Sequence, residues 1–154
     1  ESMALLAAGW HVTAIDPTSA AADALRAAVA AEDAEHLSII TAPAQDADLP
    51  PFDLLYAGYA LSFIRPEAFP RFWQHVRERL RPGGILVANV FGIRDTWVGD
   101  PTMTFVDRAG AQRLVEGLEV IAIDEEDADG NSFDGAKHWH VFDLVVRRPP
   151  AELA

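Results

Sequence analysis

The chain has 154 residues, half of them hydrophobic, with 12 basic against 24 acidic side chains and a formal net charge of −12. That length suits one domain with a sizeable core. The acidic balance excludes a nucleic-acid backbone as a main partner, because counterion release needs Lys/Arg clusters that this chain lacks.

With no cysteine, disulfides, thiolate zinc sites and a Cys nucleophile are excluded. No apolar run reaches the roughly 18 residues of a membrane span, and no stretch reads as a signal peptide. The expectation is a cytoplasmic protein without a membrane partner.

Glu1 to Ala8 predicts a helix closed by Gly9 as a C-cap. His11 to Ile15 predicts a strand stopped by Asp16, Pro17 and Thr18. Thr18 or Ser19 then caps a helix to about Ala31, with Ala22, Leu25, Ala28 and Val29 on one face. Leu37–Thr41 predicts a second strand, and Ala42 to Pro51 a polar, Pro-rich loop. Phe52–Ala57 predicts a third strand, apolar as one buried on both faces should be. Gly58 to Phe63 follows as a loop or helical turn. Pro66 to Leu80 predicts a helix interrupted by Pro70, with Phe72, Trp73, Val76 and Leu80 inward. Arg81-Pro82-Gly83-Gly84 predicts a turn, and Ile85 to Phe91 a fourth strand. After a loop through Arg94, Asp95, Trp97 and Asp100, Asp107 caps a helix to about Glu116. Leu118 to Ile123 and Trp139 to Val146 have no helix pattern between them. They predict a wide antiparallel hairpin on the sheet's edge, joined by a long acidic loop. This order implies an α/β fold: a doubly wound, mostly parallel sheet with an antiparallel ending.

Asp16 is the first candidate for chemistry. In doubly wound nucleotide-binding folds an acidic residue at the end of the second strand, about 20 positions after a glycine loop, takes the ribose hydroxyls. Counting back from Asp16 puts that loop, with its strand, just before Glu1, so the expected first strand is missing from the sequence. The competing reading makes Asp16 a cap for the next helix.

The antiparallel ending is the habit of class I S-adenosylmethionine-dependent methyltransferases. Residues 8–16 (Ala-Gly-Trp-His-Val-Thr-Ala-Ile-Asp), 52–57 (Phe-Asp-Leu-Leu-Tyr-Ala) and 80–86 (Leu-Arg-Pro-Gly-Gly-Ile-Leu) resemble that superfamily's segments in their usual order. Within it, Ala60-Leu61-Ser62-Phe63, residues 91–97, Met103-Thr104-Phe105 and Lys137-His138-Trp139-His140-Val141-Phe142 resemble small bacterial methyltransferases of the tellurite-resistance type. The resemblance covers nearly the whole chain and implies a single Rossmann-like methyltransferase domain over residues 1–154. It implies that Asp16 accepts from the ribose hydroxyls of S-adenosylmethionine and that Pro17 packs beside the adenine. Ala44 and Gln45 would line the adenine's edge, and Gly58 and Tyr59 would lie near the methionine portion. The sequence departs from many relatives in carrying Pro43-Ala44-Gln45 where they place an Asp near the adenine.

Methyl transfer is an in-line displacement at a sulfonium, so the protein supplies alignment and a soft or anionic acceptor needs no general base. Phe63, Phe91, Trp97 and Trp139 are candidate walls of a small, largely apolar acceptor pocket, or else ordinary core. His138 and His140 lie two apart on one strand face. No third ligand accompanies them, so no metal is expected, and a structural or substrate-orienting role is left to both. Arg94 is read as a contact to an anionic substrate or as a surface ion pair. Aligning Glu125, Asp127, Asp129 and Gly130 with a calcium loop puts Ala136 where the closing Glu is needed, so that stretch reads as a solvated loop. The expected function is methyl transfer to a small molecule, a thiol, metalloid oxyanion or amine. A nicotinamide-dependent oxidoreductase fragment and a non-catalytic binding module of the same fold are the alternatives. Against the oxidoreductase stand the terminal hairpin and the lack of a Tyr-x-x-x-Lys pair.

Overall fold

A computed structural model describes residues 1–151. The chain divides into two compact units, Glu1–Asp48 and a second that begins at Leu49.

In the first unit, helix α1 (Ser2–Ala7) ends at Gly9, whose φ of +83° is the left-handed conformation that only glycine adopts cheaply. The Gly9 N–H donates to the Leu6 carbonyl at 2.8 Å and the Trp10 N–H to the Leu5 carbonyl at 3.0 Å, closing the helix as a Schellman motif. Strands β1 (Val12–Asp16) and β2 (Leu37–Thr41) pair in parallel, from Val12 opposite Leu37 to Asp16 opposite Thr41. Helix α2 (Ser19–Ala28) is capped by the Thr18 hydroxyl, which accepts from the Ala21 N–H. It stops short of Ala31 because Val29, a poor helix former, turns extended.

The second unit holds a five-stranded sheet of order β3-β4-β7-β6, with the short β5 beside the end of β4. Strand β3 (Phe52–Ala57) is parallel to β4 (Leu80–Gly92), as is β5 (Phe105–Val106). Strand β7 (Gly135–Arg147) is antiparallel to β4 and to β6 (Glu119–Ser132). β3 lies at the sheet's edge, so its apolar run is half-buried rather than covered on both faces, and Tyr56 is exposed. The core sits around β7, where Val141 and Phe142 point to opposite faces and both are fully buried, with Leu144, Val146, Val90 and Leu86 beside them. Each such side chain contributes about 1.5–3 kcal/mol relative to exposure.

Three expectations are corrected here. Pro70 does not interrupt a helix. Helix α3 (Phe69–Arg79) begins one residue before it, so Pro70 occupies the first turn, where no N–H donor is needed. Phe72, Trp73 and Val76 are buried as expected. The Arg81–Gly84 run is an irregularity within β4 rather than a turn before it. Phe52 lies opposite Leu80 but Leu54 opposite Ile85, and the displaced residues are held by Gly83 N–H to Arg148 O and Arg148 N–H to Gly84 O, each 2.9 Å. The acidic stretch, read as a solvated loop, is strand: β6 and β7 stay paired from Glu119–Arg147 to Ser132–Gly135, and only Phe133 and Asp134 form the turn. Helix α4 (Arg108–Leu114) follows its predicted cap, with Asp107 accepting from the Gly110 N–H at 2.6 Å.

Candidate active site

In the first unit the predicted cofactor residues gather at the carboxyl end of the β1–β2 pair. Asp16 ends β1, its carbonyl accepts from the Ala42 N–H at 3.1 Å, and Ala44 and Gln45 form the helical turn just after β2. The Asp16 carboxylate accepts the Thr18 hydroxyl at 2.6 Å and the Thr18 N–H at 2.8 Å, both at Oδ1. These bonds, the side-chain one foremost, hold its pKa below the usual carboxylate value. Oδ2 has no partner among the described residues. Asp16 therefore orders the start of α2 and still presents an anionic oxygen. Pro17 beside it is exposed.

In the second unit Gly58 and Tyr59 follow β3 at its carboxyl end. Tyr59 has φ +52°, the only non-glycine residue described with a positive φ, and for a bulky side chain such a conformation costs about 1–3 kcal/mol. Its N–H donates to Oδ1 of the buried Asn89 at 2.7 Å, which pins the turn to β4. Partial burial, with the carboxylates of Glu126 and Asp143, pushes the Tyr59 hydroxyl above its ordinary pKa, so it stays a donor at neutral pH.

The predicted wall residues come together. Phe91 lies at the centre, with ring centroids 5.6 Å from Trp97, 5.9 Å from Trp139, 6.1 Å from Phe63 and 6.2 Å from Tyr59. Phe91 is fully buried, whereas Phe63 and Tyr59 are each more than half exposed and form the outer layer. Beneath the rings lies a buried ion pair that the sequence does not reveal. The Lys137 ammonium binds both oxygens of Asp95, and both side chains are at most 1% exposed. The same ammonium lies 3.8 Å from the Trp139 ring centroid, 4.1 Å from Trp97 and 5.0 Å from Phe91.

The remaining candidates lie elsewhere. Side chains alternate along β7, so His138 and His140 point away from Lys137 and Trp139, toward the opposite face. There His140 Nδ1 accepts from the Arg94 N–H at 3.0 Å and Nε2 meets Glu125 at 2.9 Å, which fixes the tautomer with the proton on Nε2. His138 sits between Asp129 and Asp127, 2.8 Å from each. Arg94 binds Asp127 and Glu125, each at 2.7 Å, and Arg108 also binds Glu125. The His140 bond is the main cause holding Glu125 below its ordinary pKa, as the Arg94 bond is for Asp127. Among the described residues no group of His, Asp and Glu is arranged to hold a metal.

A family model described as "Methyltransferase domain" matches residues 1–86, more than half of the chain. The chain belongs to this methyltransferase family. No curated protein sequence matches it. Its fold is that of solved methyltransferases. TehB from Haemophilus influenzae superposes with a TM-score of 0.78 at 15% identity, over 96% of this chain and 53% of that one. The 1,6-didemethyltoxoflavin-N1-methyltransferase of Burkholderia thailandensis, solved with S-adenosylhomocysteine, gives 0.66 at 16% over 96% and 65%. The N-methyltransferase NodS of Bradyrhizobium japonicum, also with S-adenosylhomocysteine, gives 0.64 at 18% over 89% and 66%. The chain thus spans about half the length of TehB. Among the described residues of this methyltransferase-family chain, no helix is long and apolar enough to cross a membrane.

Sequence reasoning missed Lys137, Asp95 and Asn89 as parts of this arrangement. Lys137 and Asp95 both lie in segments that carry the family resemblance, but 42 residues separate them, and no local pattern announces the pairing.

Proposed function

We propose that this chain binds S-adenosylmethionine and transfers its methyl group to a small-molecule acceptor. The observation that carries this reading is Asp16 at the carboxyl end of β1, with Oδ1 occupied by Thr18 and Oδ2 open. A carboxylate kept anionic at that place in a parallel strand pair suits the two donor hydroxyls of a ribose. Pro17, Ala44 and Gln45 would flank the adenine, and Gly58 and Tyr59 would lie toward the methionine end. The family model runs from residue 1 to residue 86, across the boundary at Leu49, which supports reading both units as parts of one domain. The bound S-adenosylhomocysteine of the Burkholderia and Bradyrhizobium enzymes supports the same cofactor.

When bound, the cofactor supplies a sulfonium methyl, whose transfer forms the acceptor–carbon bond and breaks the carbon–sulfur bond, the electron pair staying on sulfur. The chain's own part is positioning. Phe63, Trp97 and Tyr59 offer an apolar wall for a small acceptor, with the Tyr59 hydroxyl as donor. Arg94, His138 and His140, held in the carboxylate network of the opposite face, would act on the acceptor by fixing the β6–β7 hairpin rather than by contact. We read the protein as cytoplasmic and without a nucleic-acid partner.

Calorimetry with S-adenosylhomocysteine, and with NAD as the control, tests the reading. Hydrogen bonds to a charged group are worth about 1.5–3 kcal/mol, so Asp16→Ala is expected to weaken S-adenosylhomocysteine binding about 10- to 100-fold with helix content intact. Unchanged affinity in a folded variant, or tighter binding of NAD, overturns it.

A further inference from the structure

The Lys137 ammonium is enclosed by aromatic rings, as an alkylammonium ligand is in an aromatic cage. Three aromatic rings surround it at 3.8 to 5.0 Å, the range of strong cation–π contacts, and its counter-ion is fully buried. Asp95 is itself built in. Its Oδ1 accepts from the Trp97 N–H at 3.0 Å and its Oδ2 from the His140 N–H at 3.3 Å, so the carboxylate ties the loop after β4 to β7. Thr96 fastens the same junction, accepting from the His138 N–H at 2.8 Å and donating through its own N–H to the His138 carbonyl at 3.1 Å.

Burying an ammonium and a carboxylate costs several kcal/mol per ion, and a hydrophobic pair of the same volume is often as stable. Stability is therefore a poor reason for this pair. Geometry is a better one. A cation fixed by a carboxylate draws the ring faces toward one point, which sets the tilt of Trp97 against Trp139 (64° between planes) and of Phe91 against both (58° and 70°). Phe63 and Tyr59, the exposed outer rings, pack on the rings so oriented.

We propose that Lys137, held by Asp95, is the positioning residue of the acceptor wall: an internal cation that fills the Phe91–Trp97–Trp139 cage and fixes its rings. The inner ring faces are then closed to an alkylammonium, and an acceptor meets this site through apolar contact with Phe63 and Tyr59. This rests on the acceptor-wall reading above.

Chemical rescue tests it. Lys137→Ala removes the atoms of n-propylammonium from the cage. In the full chain, near-UV circular dichroism and Trp fluorescence of this variant should lose the wild-type ring signature. Added n-propylammonium should restore it at concentrations about tenfold below those at which 1-propanol has any effect, and wild type should respond to neither. Equal rescue by the alcohol, or a wild-type signature without any additive, overturns the proposal. Should Lys137→Ala fail to fold with Asp95 left unpaired, Lys137→Met combined with Asp95→Asn removes both charges. That variant should keep the far-UV spectrum and lose the ring signature, and an unchanged signature overturns the proposal equally. S-adenosylhomocysteine binding by wild type is measured alongside. Its absence from wild type would sink the methyltransferase reading and leave the cage result to stand or fall alone.

Discussion

At the scale of single residues, the sharpest constraint is the close approach of Gly92 and His140. A Cβ on Gly92 would lie 1.9 Å from His140 Nδ1, and the ring cannot withdraw because both its nitrogens are bonded and the residue is fully buried. Overpacking of this kind typically costs 1–3 kcal/mol. Gly92→Ala is expected to cost about 3 kcal/mol, at the upper end of that range, and to release the Arg94 N–H from Nδ1. Chemical denaturation measures the loss, and a variant within about 0.5 kcal/mol of wild type would refute it. The sequence showed Gly92 only as one member of a family-like segment. Its partner lies 48 positions on, and nothing local signals that a ring lies flat against it.

At the scale of elements, the β6–β7 hairpin departs most from expectation. Five of the six residues from Asp124 to Asp129 are acidic and only Ala128 is apolar, a run that would read as loop on propensity. They form strand because Glu125, Asp127 and Asp129 share one face and meet partners from distant segments: the guanidinium groups of Arg94 and Arg108 and the rings of His138 and His140. Charge on the outermost strand also guards the sheet edge against pairing with another chain. His138 makes the clamp pH-dependent. Its two ring nitrogens face two carboxylates, which only the imidazolium satisfies with two donors, and the bonds to Asp129 and then Asp127 raise its pKa. A raised folded-state pKa contributes stability that is fully present below the ordinary value of about 6.5 and is lost as pH rises through the folded value. The melting temperature should therefore fall from mildly acidic to alkaline pH by more in wild type than in His138→Gln. Parallel pH profiles for the two proteins would refute the clamp.

At the scale of the whole molecule, burial is uneven between the two units. The second contains the fully buried stretch of β7 and its neighbours in β4, whereas the buried hydrophobics of the first are Leu6, Ala22 and Ala47. Amides in β4 and β7 should exchange with solvent only through global unfolding, and those of β1 and β2 through smaller openings at least about tenfold more often. Uniform protection, measured by hydrogen exchange, would contradict this. The sequence by itself determined what local physics can encode. Strand cores at β1 to β4 follow from apolar runs between breakers, the Schellman end of α1 from Gly9, the caps of α2 and α4 from Thr18 and Asp107, and the place of Asp16 from its position at a strand end. Only the tertiary structure decided what depends on partners far along the chain. Pro70 starts a helix because of where α3 begins, and Arg81–Gly84 stays in β4 because Arg148 bonds to both glycines. The acidic run is strand because distant cations neutralise it, and the ring cluster is a cage because Lys137 and Asp95 meet beneath it. Local propensities are worth tenths of a kcal/mol per residue, and a buried charge left unpaired costs several. Where the two conflict, the long-range partner prevails.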